Sequence, residues 1–241
     1  EISPESHDIS IRRFCRRPDY TNREFEAWLK QSVEAGAKRI EVYFMIGLPK
    51  QDLDSVRKTV RYCKFLLRKF KNNKRVIPFI SAMIPFLNPA SAAFEKPQEF
   101  GYRIFYKTID QHYKALCEIS VAKRLNYETK WLSREDIVRV AYESAKMLTL
   151  AKIRSGYLPL KFGEAAISRL DKELSLIKAL DNIDLIKHGK KRLMALNNIG
   201  NRIQHYNKEA ETAKYFDNLR QKREVERRLK AVSYTHLRAH E

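Results

Sequence analysis

The feature that most constrains the fold is the segment "IEVYFMIGLPKQD" at residues 40–52. Seven apolar or β-forming residues lead directly into Gly47, Leu48 and Pro49, and Asp52 stands where a helix can begin. A run that is apolar on both faces after Glu41 is typical of a parallel strand buried on both sides. Glycine and proline mark the turn that ends it. The segment predicts a buried strand that is followed at once by a helix.

Helical and strand periodicities alternate around this segment. Residues 21–35 predict a helix, with a capping box at Thr21 and Glu24 and a glycine after its end. Asp52 can cap a second helix over 53–70, and 76–84 reads as a second buried strand. Pro78 inside that strand requires an edge position or a bulge. This order predicts an α/β protein with parallel strands, either a doubly wound sheet or a (β/α) barrel.

The remaining two thirds of the chain are predicted to be mainly helical. Ser133 can cap a long helix, and Gly156 can close it. Gly189 and Gly200 are predicted to separate the later helices. The predicted segments are a helix over 101–118, an extended piece at 125–129, and helices over 134–155, 164–180, 182–198 and 201–231.

Composition leaves the class of partner open. The 48 lysines and arginines outweigh 29 acidic residues, for a net charge of +19. Such a charge suits nucleic acid or another anionic surface, and equally a lysine-rich protein without such a partner. No apolar run approaches the roughly 20 residues that span a bilayer, so no membrane partner is expected. Three widely spaced cysteines fit neither a disulfide framework nor a close metal site, and predict reduced thiols in a cytoplasmic protein.

Both ends of the sequence are unusual. The chain starts on "EISPESHD", without an initiating methionine or the basic segment of a signal peptide. The last ten residues, "VSYTHLRAHE" at 232–241, interrupt a charged helical pattern and resemble a translated sequencing adapter. We therefore expect 232–241 to be a non-native artefact, and both ends to be those of a fragment.

Polar motifs stand where the predicted strands end, which is where α/β folds collect their ligands. They are "SPESHD" at 3–8, "GLPKQD" at 47–52 and "PFLNPAS" at 85–91. The first has a plain alternative as a helix entry, with Ser3 as the cap and Pro4 in the first turn. In the second, glycine lets the backbone approach a ligand or adopt a positive φ. Each motif alone is weak evidence for function.

Together, in this order and spacing, the motifs resemble the C-terminal half of a radical SAM domain. The resemblance is to the type that carries a cobalamin-binding (B12-binding) domain upstream, and covers roughly residues 1–159. It implies a partial (β/α) barrel over 1–94 and a family-specific helical extension over 95–159. Residues 160–231 lie outside the resemblance, and their pattern predicts a basic helical tail. The matching residues are Glu5 and Ser6 after one strand, Met45, Ile46, Gly47, Leu48 and Pro49 after the next, and Ile84 and Pro85 after the third.

The resemblance also implies a chemistry. In this family a 4Fe–4S cluster held by three cysteines cleaves S-adenosylmethionine reductively to start radical reactions, such as methyl transfer to an unreactive carbon. Glu5 and Ser6 would contact the polar part of S-adenosylmethionine. Met45, Ile46, Gly47 and Pro49 would line its adenine side, which Ile84 and Pro85 would close. The implied partners are an unknown substrate, a flavodoxin- or ferredoxin-type electron donor, and cobalamin on the missing upstream domain.

The sequence departs from the family pattern at three points. Lys50 and Ala90 stand where the family usually has glycine, so a positive φ at Lys50 would be strained. The Cys-x3-Cys-x2-Cys motif of the cluster does not occur, because the cysteines are at 15, 63 and 117. The chain alone is therefore expected to be inactive. The alternative is a non-enzymatic basic α/β module that binds nucleic acid.

Overall fold

A parallel sheet of three strands forms the centre of the structure, which is a computed structural model. Strand β2 (Ile40–Ile46) lies between β1 (Ile2–Glu5) and β3 (Val76–Ala82), and both neighbours run parallel to it. The structure describes residues 1–15, 18–82, 87–118, 120–184, 186, 189–191, 193–202 and 204. It confirms a mixed α/β fold with parallel strands followed by helices.

Local sequence signals set the helices around the sheet. Helix α1 (Ile9–Phe14) follows β1, α2 (Asn22–Glu34) leads to β2, and α3 (Leu53–Lys69) leads to β3. The predicted capping box at Thr21 and Glu24 is present, and Asp52 caps α3 by accepting the Ser55 N–H. These side chains satisfy N–H groups that the first helical turn leaves unpaired, which is why the helices begin there.

The two faces of the sheet differ, which corrects the prediction that β2 is buried on both sides. Its even-numbered residues are buried, and Val42 and Phe44 belong to the same core cluster as residues of α2 and α3. Its odd-numbered residues are only half-buried. We call the odd-numbered side the open face; its members on β2 and β3 are Glu41, Tyr43, Met45, Ile77, Phe79 and Ser81.

Strand β3 begins at Val76 as predicted, and its predicted end at residue 84 lies outside the described residues. The structure describes it as far as Ala82, and residues 83–86, including Ile84 and Pro85, lie outside the described residues. Val76 to Ala82 pair one to one with β2, so Pro78 causes no bulge. Among the described residues β2 is the one strand that β3 pairs with, so Pro78 occupies an edge position.

The predicted helix over 101–118 is partly wrong, because its first residues form a strand. Gly101 has a φ of +71° and ends the preceding short helix, after which Tyr102 enters the core and pairs with Thr129. The predicted extended piece at 125–129 provides that antiparallel partner. The elements of this region are α4 (Ala92–Glu95), α5 (Pro97–Phe100), β4 (Tyr102–Ile104), α6 (Ile109–Leu116), α7 (Val121–Arg124) and β5 (Tyr127–Thr129).

Two long helices follow β5. Ser133 caps α8 (Arg134–Arg154), and Gly156 closes it at a φ of +68°, both as predicted. Helix α9 (Leu160–Asp184) runs on past residue 180, where a break was expected. Gly200 lies inside the helical residues 193–202, so it does not separate helices. Gly189 is the first described helical residue after the non-helical residue 186, and residues 187 and 188 lie outside the described ones, so the break expected at Gly189 is not tested. A glycine inside a helix costs only about 1 kcal/mol relative to alanine, which neighbouring residues can offset.

The chain forms two compact units, residues 1–178 and 179–241. The first holds the sheet and its helices, and in the second Ile183 and Ile199 are buried. Residues 205–241, which include the adapter-like segment 232–241 and most of the last predicted helix, lie outside the described residues. Among the described helices, none has a stretch long and apolar enough to cross a membrane.

Two residues for which the resemblance predicted glycine, Lys50 and Ala90, adopt the left-handed conformation. Lys50 has a φ of +61° and Ala90 a φ of +66°. The strain expected at Lys50 is therefore present, and Ala90 carries it too, because a Cβ in this conformation crowds the backbone. Lys50 gains a partial compensation, since its Nζ lies 4.3 Å from the centre of the Phe14 ring.

We expect Ala90→Gly to raise the free energy of unfolding by about 0.5–1 kcal/mol. Relief of about 1–2 kcal/mol of strain exceeds the extra flexibility that glycine gives the unfolded chain. Lys50→Gly is expected to be nearly neutral, because it also removes the contact with Phe14. Urea unfolding of both variants measures the difference. A loss of stability in Ala90→Gly would contradict the strain at that position.

Candidate functional site

The carboxyl ends of β1 and β2 lie side by side. Glu5 pairs with Phe44, so Glu5 and Ser6 are neighbours of the turn at residues 45–49. Ser3 and Pro4 belong to the strand, and Asp8 caps α1 by accepting the Ser10 N–H. The alternative reading of Ser3 as a helix cap is therefore wrong. The two predicted groups of site residues meet at the carboxyl end of the sheet. They are Glu5 with Ser6, and Met45 to Pro49.

Glu5 has the most unusual backbone conformation and burial at this end of the sheet. It has a φ of +64°, lies at a register shift between β1 and β2, and is only 7% exposed. A non-glycine residue in this conformation costs about 1–3 kcal/mol and persists only where its surroundings hold it. Such strain in a buried carboxylate at a strand end is typical of a position that serves a site.

The surroundings that hold this turn centre on Ser6 and Arg12. The Ser6 hydroxyl accepts the Asp8 N–H at 3.0 Å, and the Ser6 carbonyl accepts Arg12 Nη1 at 2.9 Å. Arg12 is only 2% exposed and also donates to Asn22 Oδ1 and the Tyr20 carbonyl. The sequence analysis missed this arginine, because its partners come together only in the folded chain.

Gln51 organises the glycine turn at the end of β2. Its side chain accepts the N–H of Gly47 at 2.9 Å and of Leu48 at 3.3 Å, and donates to the Met45 carbonyl at 3.0 Å. Gln51 has no exposed surface. The turn therefore depends on a side chain to which the sequence analysis assigned no role.

Two tyrosines from the β4–β5 pair cover the same turn. Tyr102 donates its hydroxyl to the Gly47 carbonyl at 3.0 Å, and a Cβ added to Gly47 would lie 2.6 Å from Tyr127 Oη. Gly47 has a φ of +93°. Glycine is thus required both for its conformation and for the close approach of Tyr127. With its N–H and carbonyl already bonded, the backbone of Gly47 offers a ligand only the second lone pair of that carbonyl.

The other predicted site residues differ in access. Met45 lies half-buried on the open face, where it pairs with Ser81. Ile46 is fully buried, and Pro49 is buried as well. Among residues 45–49, Met45 is therefore the one that is partly exposed.

The open face carries an aromatic pair and a half-buried amine. Tyr43 and Phe79 stack with ring centres 5.1 Å apart, and Lys152 Nζ lies 4.0 Å from the centre of the Phe79 ring. Tyr43 donates its hydroxyl to Glu41 at 2.5 Å. Burial lowers the pKa of Lys152 to about 8, because a charged amine loses its hydration there. The sequence analysis missed Lys152, since nothing local distinguishes it from other helical lysines.

His7 has a structural partner. Its Nδ1 lies 2.9 Å from Thr59 Oγ1, and that hydroxyl donates to the Ser55 carbonyl, so the imidazole is the donor. Burial lowers the pKa of His7 below its ordinary value. Because Asp8 also caps α1, these contacts assign His7 and Asp8 structural roles.

The cysteines are placed on three separate elements. Cys15 follows α1, Cys63 is inside α3, and Cys117 follows α6. A 4Fe–4S cluster needs several thiolates close together, so these three do not fit one. Among the described residues, no group of three potential metal ligands occurs. Any cluster must therefore draw its ligands from elsewhere.

We expect the three thiols to react with iodoacetamide in the order Cys117, Cys15, Cys63. Cys117 is exposed, whereas burial raises the pKa of Cys15 to about 11 and that of Cys63 to about 12. Because the thiolate is the nucleophile, the half-buried Cys15 and the buried Cys63 should react more slowly than Cys117 by orders of magnitude. Peptide mass spectrometry after timed labelling at pH 8 measures the order. Early labelling of Cys63 in the folded protein would contradict it.

Comparison of the chain with protein-family models, with curated proteins and with solved structures gave no match.

Proposed function

We propose that this chain is the later part of a radical SAM enzyme of the cobalamin-binding type. Three parallel strands in consecutive order support a (β/α) barrel, because barrel strands neighbour each other in chain order. The half-exposed open face also suits a barrel wall. Parallel sheets are normally covered on both sides, and the rest of a barrel would cover this face. An open sheet of the doubly wound kind remains the structural alternative.

The observation that carries the proposal is Glu5. A buried carboxylate in a left-handed conformation lies at the strand end beside the Gly47 turn. The contacts of Ser6 and Arg12 hold the turn in which Glu5 is strained. Strained residues that are held in this way cluster at functional sites. In the family that the motifs resemble, this strand typically ends in Glu-Ser, which Glu5 and Ser6 match.

The residues have distinct roles in this proposal. Glu5 accepts hydrogen bonds from the polar part of S-adenosylmethionine, and Ser6 holds the turn that presents it. Met45 provides an apolar contact on the open face, while Gln51 and Tyr102 fix the backbone next to it. A 4Fe–4S cluster, held by cysteines upstream of Glu1, would supply the electron for the reductive cleavage of S-adenosylmethionine.

Reading the coding DNA upstream of Glu1 tests the proposal most directly. At about 30 residues for each strand and helix of a barrel, a Cys-x3-Cys-x2-Cys motif should occur within about 150 codons. Its presence there supports the proposal. An open reading frame of that length without the motif overturns it.

Variants of the complete protein then test the role of Glu5. We expect Glu5→Gln to weaken S-adenosylmethionine binding at least about tenfold by calorimetry, since a charged acceptor becomes a neutral one. The matched control is Glu41→Gln, which removes a carboxylate from the other end of the same sheet. Equal effects of the two variants would contradict a specific contact at Glu5.

The nucleic-acid alternative has its own measurement. The net charge of +19 is what favours it. The measurement is binding of single- and double-stranded oligonucleotides to the chain at several salt concentrations. Tight binding that weakens steeply with salt, together with absence of the upstream motif, would favour a nucleic-acid-binding module over a radical SAM enzyme.

A further inference from the structure

A groove with an apolar floor and basic rims runs between two helices on the first unit. Helices α3 and α8 pack against each other, and the groove between them has a volume of about 390 Å³. Met147, Leu150 and Ala151 of α8 form its floor. Its cations are Lys64 and Arg68 from α3 and Arg154 from α8. The volume lies in the range of pockets for small organic ligands, roughly 300–1,000 Å³.

The charges of this groove lack counterparts. Lys64, Arg68 and Arg154 form no ion pair with any acidic residue in the described part of the chain. Other cations of the same two helices are paired. Lys58 contacts Asp54 at 2.8 Å, Lys69 contacts Glu26 at 2.6 Å, and Lys146 contacts Asp171 at 2.5 Å. Unpaired cations therefore converge on one place, from both of its sides.

The helix dipole explains part of this arrangement. Arg68 and Arg154 lie in the last turns of their helices, where cations offset the negative end of the dipole. It does not explain Lys64, which lies further inside α3 and is half-buried in the groove. It also does not explain the apolar floor, in which Met147 stays 41% exposed. Methionine side chains adapt to varied apolar ligands.

We propose that this groove binds a small amphipathic anion, with a phosphate monoester head and an apolar body. The dianionic head would lie among Lys64, Arg68 and Arg154, where arginine can donate two parallel hydrogen bonds to phosphate. The apolar body would cover Met147, Leu150 and Ala151. The site lies away from the strand ends and does not depend on the function proposed above.

Octyl phosphate, used below its micelle concentration with the full chain, is the probe. We expect it to bind at least about tenfold more tightly than inorganic phosphate, which lacks the body, and than octanol, which lacks the head. Arg154→Gln and Lys64→Gln should each weaken its binding by about threefold to tenfold. Calorimetry measures the affinities, and thermal unfolding without ligand shows whether each variant stays folded.

Arg57→Gln is the matched control. Arg57 is exposed on α3, outside the groove, and its replacement removes the same charge. It should leave the affinity unchanged within about twofold. Equal losses in Arg57→Gln and Arg154→Gln would overturn the proposal, because they would show a general charge effect. Equal binding of octyl phosphate and inorganic phosphate would overturn it as well, and so would the absence of binding by folded protein.

Discussion

Gly47→Ala is expected to lower the free energy of unfolding by about 2–5 kcal/mol. The left-handed backbone, at a φ of +93°, accounts for about 1–2 kcal/mol of this loss. The new methyl group would lie 2.6 Å from Tyr127 Oη and 3.2 Å from a ring carbon, and relieving that overlap accounts for about 1–3 kcal/mol more. Tyr127 is fully buried, so it has little room to move. Urea unfolding at pH 7.5 measures the loss.

Gly36→Ala is the control that separates the two causes. Gly36 has a similar φ of +100°, but a Cβ there would meet no described atom within 4 Å. We expect it to cost only the backbone part, about 1–2 kcal/mol. Replacing Tyr127 by Phe removes the nearest atom, so Gly47→Ala should cost less in that background. Equal losses at Gly36 and Gly47 would show that the approach of Tyr127 is unimportant.

Gln51→Met is expected to cost about 2–4 kcal/mol. Methionine has a similar length but leaves the N–H groups of Gly47 and Leu48 and the Met45 carbonyl without their partner. Each buried polar group left unpaired costs about 1–3 kcal/mol, and a small shift of the turn recovers part of that. The same unfolding experiment measures the change. A neutral result would mean that the turn holds without the glutamine side chain.

Gln51→Glu gives a pH-dependent version of the same test. Its carboxylate can still accept the two N–H groups, but it faces the Met45 carbonyl, where glutamine donates. Burial and this repulsion raise its pKa in the folded protein above the value of about 4.3 in the unfolded chain. The penalty is then full at neutral pH and disappears as the pH falls through the folded pKa to the unfolded value. Unfolding curves at pH 7.5 and 4.5, each compared with the unchanged protein, should show the penalty shrinking in acid; a constant penalty would contradict it.

The first half of the fold could be predicted because its signals are local. Thr21 with Glu24, and Asp52 with Ser55, fix the beginnings of helices through contacts within one turn. The apolar run at 40–46 ends at a glycine and a proline, which bound a strand by themselves. Such patterns depend only on neighbours in sequence, so they can be recognised without knowledge of the fold.

The candidate site was only partly predictable. Glu5, Met45 and Gly47 could be singled out because they stand in motifs at strand ends. The solvent exposure of these residues could not be predicted. Tyr102 and Tyr127 cover Gly47, and they belong to a strand pair that was partly predicted as a helix.

The sequence by itself determined that a strand ends at a glycine turn, that capped helices flank it, and that Lys50 and Ala90, not glycines, stand after two of the strands. Only the tertiary structure decided that both residues adopt a left-handed backbone and that one face of the sheet stays half-exposed. It also decided that Arg12 and Gln51 hold the strand ends. The physical reason is the range of the interactions: caps and turns act between adjacent residues, whereas burial and side-chain hydrogen bonds depend on segments that meet only when the chain is folded.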